Sequence, residues 1–262
     1  MKKIIFFDID GTIATEDERG FIPDSTRRAI AQARANGHLT FINSGRTIFN
    51  IGDNIRELGF DGYICGCGTY IEYNNEVLLY NKLDRQYCRK IADLLYESGV
   101  IPAYEHRDCI FFDKRISDTN EMTWFKEKFL EPIHDKFHDV SDDDFAFDKF
   151  IFWRSKNDKF NELVQKIGSE FMFIDRGGDL FEVVPKGFTK ATGIRFILDR
   201  LGISLENAFA IGDSPNDLPM LEAVPNSIAM GGAERIYPYV SFITKPLEEN
   251  GIEYALRYFE II

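Results

Sequence analysis

Four apolar residues, Ile4-Ile5-Phe6-Phe7, are followed at once by Asp8-Ile9-Asp10-Gly11-Thr12. A short run of β-branched and aromatic residues that ends in turn residues predicts a buried parallel strand. Because open α/β sheets bind ligands at the carboxyl ends of such strands, we expect Asp8 and Asp10 at a binding edge. Gly11 lets the backbone turn sharply there, so the two carboxylates can converge on one small volume.

Two carboxylates in so small a volume repel each other, and the repulsion drives one of them toward protonation. A hard cation such as Mg²⁺ removes this conflict, since it takes oxygen ligands and neutralises their charge. The alternative is a solvated acidic turn. We favour the cation site, because a predicted strand precedes the two aspartates and Gly-Thr follows them.

The size and charge of the chain exclude several classes of function. With 262 residues, the chain is expected to form one core with one insertion. No apolar run approaches the length of about 20 residues that spans a bilayer, and no signal-peptide pattern is present, so we predict a cytoplasmic protein. The net charge of −12 argues against nonspecific binding to nucleic acid and to anionic membranes.

The order of the predicted elements indicates two domains. The residues before 82 alternate short apolar strands with helices, one of which is predicted from Thr47 to Leu58, and they end in a hairpin. This alternation predicts right-handed βαβ units and a parallel sheet, and it returns after residue 186. Residues 83–185 interleave adjacent strands with helices. We therefore predict an α/β fold, with a Rossmann-like core from residues 1–82 and 186–262 and an inserted α+β cap domain from 83–185.

Polar residues follow or flank the predicted core strands, and parallel strands bring such ends to one edge of a sheet. They are Asp8, Asp10, Ser44, Lys190, Asp213, Asn216 and Asp217. Three of the aspartates can hold Mg²⁺, Ser44 and Asn216 can donate hydrogen bonds to phosphate oxygens, and Lys190 supplies a positive charge. Phosphoryl transfer needs this positioning and neutralisation of charge.

In four segments, the sequence resembles the phosphatases of the haloacid dehalogenase superfamily, specifically the Cof-type branch with its large α/β (C2-type) cap. The matching segments are Asp8-Ile9-Asp10-Gly11-Thr12, Ser44-Gly45-Arg46, Lys186-Gly187-Phe188-Thr189-Lys190 and Gly212-Asp213-Ser214-Pro215-Asn216-Asp217. The resemblance covers the two core segments, while in the cap it extends only to size and position. Cys67-Gly68 stands where the family commonly has Asn-Gly, and Gly232 replaces its usual Asn.

The resemblance implies a role for each residue of these segments. Asp8 would be the nucleophile that becomes an aspartyl-phosphate, and Asp10 would be the general acid and base. Asp8, the backbone carbonyl of Asp10 and Asp213 would hold Mg²⁺, with Asp217 in support. The residues that would bind the transferring phosphoryl group are Ser44, Gly45, Lys190 and Asn216.

Several of these residues have simpler interpretations. Ser44 could cap the following helix, and Asp217 could be a carboxylate at a helix N-terminus that acts only indirectly. Lys186 is a rival to Lys190, although the position within the motif favours Lys190. Arg46 could bind substrate or pair with a carboxylate of the core, and the sequence leaves this open.

The function implied is a Mg²⁺-dependent phosphatase that acts on a small phosphorylated metabolite. Sugar phosphates are the first candidates, followed by pyridoxal phosphate and by flavin or nucleotide monophosphates. The alternatives are a phosphomutase or phosphotransferase, or a sugar-phosphate-binding protein without catalysis. Retention of both Asp10 and Lys190 argues against the last of these. We expect neither a nucleic-acid nor a membrane partner, and a monomer or weak dimer.

Overall fold

The structure, a computed structural model, describes residues 2–17, 20–117, 119–130 and 137–262. The chain divides into two compact units. Unit 1 contains Met1–Arg46, Ile51–Tyr80 and Phe188–Ile262. Unit 2 contains Thr47–Asn50 and Asn81–Gly187, so a short piece of the early chain packs with the inserted segment.

The strands and helices are numbered in chain order. The strands are β1 (Ile4–Phe7), β2 (Leu39–Asn43), β3 (Gly62–Cys65), β4 (Tyr70–Tyr73), β5 (Glu76–Tyr80), β6 (Ile101–Glu105), β7 (Ile110–Phe112), β8 (Phe137–Asp139), β9 (Lys149–Trp153), β10 (Phe171–Gly177), β11 (Leu180–Pro185), β12 (Ala208–Gly212), β13 (Asn226–Ala229) and β14 (Phe242–Ile243). The helices are α1 (Asp24–Ala35), α2 (Asp53–Arg56), α3 (Arg85–Ser98), α4 (Asn120–Leu130), α5 (Phe160–Ile167), α6 (Lys190–Leu201), α7 (Leu218–Leu221) and α8 (Gly251–Tyr258).

Unit 1 is built on one sheet with the strand order β14-β13-β12-β1-β2-β3-β4-β5. The strands from β14 to β3 are parallel, and β4 and β5 add an antiparallel hairpin. All four residues of β1 are fully buried, as expected for a central strand that is covered on both faces. Phe7 lies beside Ile42 of β2 and Ile211 of β12, so these three strands end together. The predicted parallel-sheet core is confirmed.

The helix predicted from Thr47 to Leu58 is wrong. This segment forms a 3₁₀ turn at Ile48–Asn50 and the short helix α2. Between them, Gly52 has an extended backbone, with φ −66° and ψ 161°. An extended residue cannot continue a helical hydrogen-bond ladder, and glycine is a poor helix former. The spacing of the apolar residues alone therefore predicted too long a helix.

Unit 2 is built on a second sheet with the strand order β10-β11-β9-β6-β7-β8. Its pairs are antiparallel except β7 with β8, which is parallel. One core cluster joins the sheet to α3 and α5, and another joins it to α4. The predicted mixture of strands and helices is confirmed. The sequence missed β8, because three residues are too few to show a period.

Candidate active site

The Asp8–Asp10 segment begins where β1 ends. The Asp8 backbone N–H donates to Ile211 O at 3.0 Å, which extends the ladder with β12 by one residue. Gly11 then takes a positive φ of 78°, and the N–H groups of the next three residues point back to Ile9 O. The Asp8 side chain is buried, whereas 40% of the Asp10 side chain is exposed. One strand end thus presents two carboxylates in different environments.

Lys190 is the first residue of α6, and its ammonium group lies between two carboxylates. Nζ donates to Asp8 Oδ1 and to Asp217 Oδ1, each at 2.5 Å. Burial alone would lower the pKa of Lys190, but the two carboxylates outweigh it and hold the pKa above its usual value. Asn43 Nδ2 donates to Lys190 O at 3.0 Å, and Thr189 caps the helix, so the start of α6 is fixed. The rival Lys186 is exposed and belongs to unit 2.

Asp217 is fully buried, and both of its carboxylate oxygens accept hydrogen bonds from the protein. Oδ1 accepts from Lys190 Nζ, and Oδ2 accepts from the backbone N–H groups of Asp213 at 3.0 Å and Ser214 at 3.2 Å. Asp217 therefore fixes both Lys190 and the turn that carries Asp213. The part that Asp217 takes in metal binding stays a prediction.

Asp213 completes a group of three acidic side chains. Its Oδ1 accepts a hydrogen bond from Thr12 Oγ1 at 2.9 Å. Burial and then the charge of Asp217 raise the pKa of Asp213 to about 7, and the same two causes raise the pKa of Asp8. One carboxylate oxygen from each of Asp8, Asp213 and Asp217 lies within 4.8 Å of the others. Three carboxylates against one ammonium leave excess negative charge among oxygen donors, which fits a hard divalent cation.

Ser44 and Asn216 lie in turns after β2 and β12. Ser44 is buried; its Oγ accepts from the Arg46 N–H at 3.2 Å, and its carbonyl accepts from the Cys67 N–H at 3.2 Å. Asn216 Oδ1 accepts from Ser214 Oγ. Among the described residues, neither side chain is hydrogen-bonded to the Asp8–Lys190–Asp213 group. Gly45 lies between Ser44 and Arg46 on the same turn, and phosphate binding by these residues stays a prediction.

Three residues at this site make contacts whose partners the sequence did not identify. Thr12 orients Asp213, Asn43 holds the start of α6, and Arg46 pairs with Asp10. The signal for Asn43 was present in the sequence, since an amide at the end of an apolar strand needs a buried partner. For Arg46 the sequence offered pairing with a core carboxylate as one of two roles, but it could not identify Asp10 as the partner, 36 residues away.

Gly11 is expected to tolerate no side chain. A Cβ there would lie 2.6 Å from Asp213 Cγ, and the φ of 78° strains any L residue. We expect Gly11→Ala to cost about 1–3 kcal/mol of unfolding free energy and to weaken Mg²⁺ binding at the predicted site, because Asp213 must move. Chemical denaturation and calorimetric titration with Mg²⁺ measure the two effects.

Gly37→Ala is the matched control. Gly37 has φ 86°, but a Cβ there would meet nothing within 4 Å. It is expected to lose stability from backbone strain alone and to keep its Mg²⁺ affinity. Equal Mg²⁺ affinity in the two variants would contradict the role given to the contact between Gly11 and Asp213.

The family follows from comparison with known proteins. The model of the haloacid dehalogenase-like hydrolases matches residues 5–256. The chain belongs to this family. YkrA of Bacillus subtilis (strain 168) is named, provisionally, as a phosphatase. It is 32% identical to this chain over 260 residues, which cover 97% of this chain and 96% of YkrA.

The names of two further relatives state which compounds those proteins act on. The 5-amino-6-(5-phospho-D-ribitylamino)uracil phosphatase YwtE of B. subtilis is 25% identical over 279 residues, covering 97% of this chain and 96% of YwtE. The structure of BT4131, a sugar phosphatase of subclass IIB of the superfamily, has a TM-score of 0.81 and 28% identity, with both chains covered completely.

This family member is thus a hydrolase of the phosphatase class, as the motifs predicted. Its family implies small phosphorylated substrates, and phosphatases of the family generally use Mg²⁺. Within the described part of the chain, no helix has the length and apolar character needed to span a bilayer.

Proposed function

We propose that this protein is a Mg²⁺-dependent phosphatase that hydrolyses a small phosphomonoester through a phosphoryl group carried on Asp8. The observation that carries the proposal is the buried Asp8 carboxylate, which is held by Lys190 and lies beside Asp213. A buried carboxylate with a fixed cation and a crowded acidic neighbour is poised for nucleophilic chemistry rather than for solvation.

The reaction needs two displacements at phosphorus. A carboxylate oxygen of Asp8 attacks phosphorus as the bond to the ester oxygen breaks, and Asp10 gives that oxygen a proton. Asp10 then takes a proton from the water that attacks the same phosphorus, and the bond to Asp8 breaks. The Lys190 ammonium, 2.5 Å from Asp8 Oδ1, offsets the negative charge that gathers around Asp8 in both steps.

Asp8, Asp213 and the backbone carbonyl of Asp10 are the residues that would hold Mg²⁺. When bound, Mg²⁺ neutralises phosphoryl oxygens and so draws an anionic substrate toward an acidic protein. Ser44, Gly45 and Asn216 would donate hydrogen bonds to the remaining phosphoryl oxygens, and Lys190 would contact one of them. Asp217 supports the site through Lys190 and through the backbone of Asp213.

The substrate proposed first is a sugar phosphate, since BT4131 is a sugar phosphatase that shares the full length of the fold. A flavin-related phosphate ranks next, because YwtE acts on a ribitylaminouracil phosphate. The test is phosphate release from a panel of sugar, pyridoxal, flavin and nucleotide monophosphates, with Mg²⁺ and with EDTA. Mg²⁺-dependent release from at least one ester supports the proposal, and the absence of release from all of them contradicts it.

Mg²⁺ affinity is expected to rise with pH. The folded-state pKa of Asp213, about 7, exceeds the unfolded value. Its contribution to stability is therefore present at low pH and is lost as pH rises through about 7 in the metal-free protein. Because Mg²⁺ needs the ionised carboxylate, its affinity should be about tenfold weaker at pH 6 than at pH 8.

Calorimetric titration at the two pH values checks this prediction. The Mg²⁺-induced rise in melting temperature should likewise be larger at pH 8. Asp24→Asn, which changes a carboxylate in the first turn of α1, serves as the control and should keep the pH dependence. An affinity that is equal at pH 6 and pH 8 would show that no proton competes with the metal.

A further inference from the structure

Arg46 binds both carboxylate oxygens of Asp10. Arg46 Nε donates to Asp10 Oδ2 at 3.0 Å, and Arg46 Nη2 donates to Asp10 Oδ1. Two parallel hydrogen bonds from one planar guanidinium fix the plane of the carboxylate as well as its position. A lysine ammonium is a point charge and could not fix that plane.

The backbone of Arg46 is itself held on both sides of the residue. Its N–H donates to Ser44 Oγ at 3.2 Å, and its carbonyl accepts from the Gly66 N–H at 2.8 Å. Burial alone would lower the pKa of Arg46, but the Asp10 carboxylate outweighs this, so the pKa is raised. Arg46 is thus a fixed cation, and its position is set by the turns that follow β2 and β3.

The orientation of the Asp10 carboxylate depends on the contact with Arg46. In the described part of the chain, no other side chain donates a hydrogen bond to its carboxylate, 40% of which is exposed. Asp8, two residues earlier, is paired instead with Lys190. Each carboxylate of the segment therefore has its own cation, and the cation of Asp10 lies outside the acidic group that fits the metal.

We propose that Arg46 is the positioning residue of Asp10, an inference that rests on the proposed phosphatase function. As the phosphorus–oxygen bond breaks, the proton on Asp10 passes to the departing ester oxygen, and Asp10 becomes a carboxylate. Arg46 orients the acid for this transfer and binds the carboxylate that the transfer leaves behind. The contribution of Arg46 to the rate is therefore largest for esters whose departing oxygen needs a proton.

The dependence on the leaving group distinguishes this role from a structural one. An alkoxide leaves poorly without a proton, whereas 4-nitrophenolate leaves readily. We expect Arg46→Ala to lower kcat/KM for an alkyl ester such as a hexose 6-phosphate by about 10²-fold or more. For 4-nitrophenyl phosphate, the same variant should lose less than about tenfold, because general-acid catalysis contributes little there.

The experiment compares both esters in the wild type, Arg46→Ala, Arg46→Lys and Asp10→Ala. Arg46→Lys keeps the charge without the two parallel bonds and should show the same selectivity with a smaller loss. Adding Arg46→Ala to Asp10→Ala should cause little further change, since Arg46 acts through Asp10. Arg34→Ala removes another arginine–aspartate pair of unit 1, Arg34 with Asp61, and should change neither ester.

A loss that is equal for the two esters, in Arg46→Ala and Arg46→Lys alike, would overturn the positioning role while leaving the phosphatase proposal intact. An additive loss in the double variant would also overturn it. A wild type that hydrolyses neither these esters nor the rest of the substrate panel would instead overturn the proposed function, and this inference with it. Thermal unfolding of each variant confirms that the kinetic values come from folded protein.

Discussion

Replacing Asp8 with asparagine is expected to abolish phosphate release, with a loss of about 10³-fold or more in kcat. The amide is a far weaker nucleophile than the carboxylate, and the change also removes an oxygen ligand from the proposed Mg²⁺ site. The fold should survive, because Lys190 keeps Asp217 as a partner and the crowding that raises the pKa of Asp8 is relieved. Phosphate release at saturating Mg²⁺ and thermal unfolding measure the two outcomes.

Asp53→Asn is the control for this loss. Asp53 is an exposed carboxylate in the first turn of α2, so its replacement should leave phosphate release unchanged. Residual activity within tenfold of the wild type in Asp8→Asn would exclude Asp8 as the nucleophile. Mass spectrometry of the acid-quenched wild-type reaction should find the phosphoryl group on the tryptic peptide that contains Asp8.

The second large effect is expected on stability, from Lys190→Met. Methionine fills a similar volume but leaves Asp8 and Asp217 buried without their shared cation. Removing one partner of a buried ionic group costs about 3–5 kcal/mol, because the remaining charges stay desolvated and repel each other. Denaturant unfolding in EDTA measures the loss, and phosphate release should fall along with it.

Two further variants test the cause of that loss of stability. Lys186→Met changes an exposed lysine in the same segment and should leave the free energy of unfolding near that of the wild type. Asp217→Asn added to Lys190→Met removes one of the two repelling charges and should recover part of the stability. If Lys190→Met unfolds with the free energy of the wild type, the short contacts of Nζ carry no net stabilisation.

The sequence predicted the parts of this site that depend on local pattern. β1 was predicted because an apolar run of four residues ends at turn residues, and parallel pairing of the core strands then brings their ends together. The return of alternating helices and strands after residue 186 was also predicted, and α6 and β12 lie there. These features depend on residues that are neighbours in the sequence.

The remaining features depend on distances between residues that are remote in sequence. Asp217 and Lys190, 27 residues apart, meet only because α6 and the turn after β12 converge. The pairing of Arg46 with Asp10 depends in the same way on where the turn after β2 lies. The single helix predicted from 47 to 58 was wrong because Gly52 interrupts it, and its first four residues pack with unit 2, a division that no periodicity in the sequence encodes.

The insertion of unit 2 within unit 1 sets an order of events during synthesis on the ribosome. β1 emerges first, yet one of its two neighbours, β12, is made only after all of residues 81–187. Thr12 and Asp213, which hydrogen-bond in the finished site, are 201 residues apart. Contacts of such long range form late, because a long loop must close before they are made. A nascent chain therefore carries Asp8 and Asp10 through the synthesis of residues 81–187 without Lys190 or Asp213, and the nucleophile that we propose acquires its partners only late in folding.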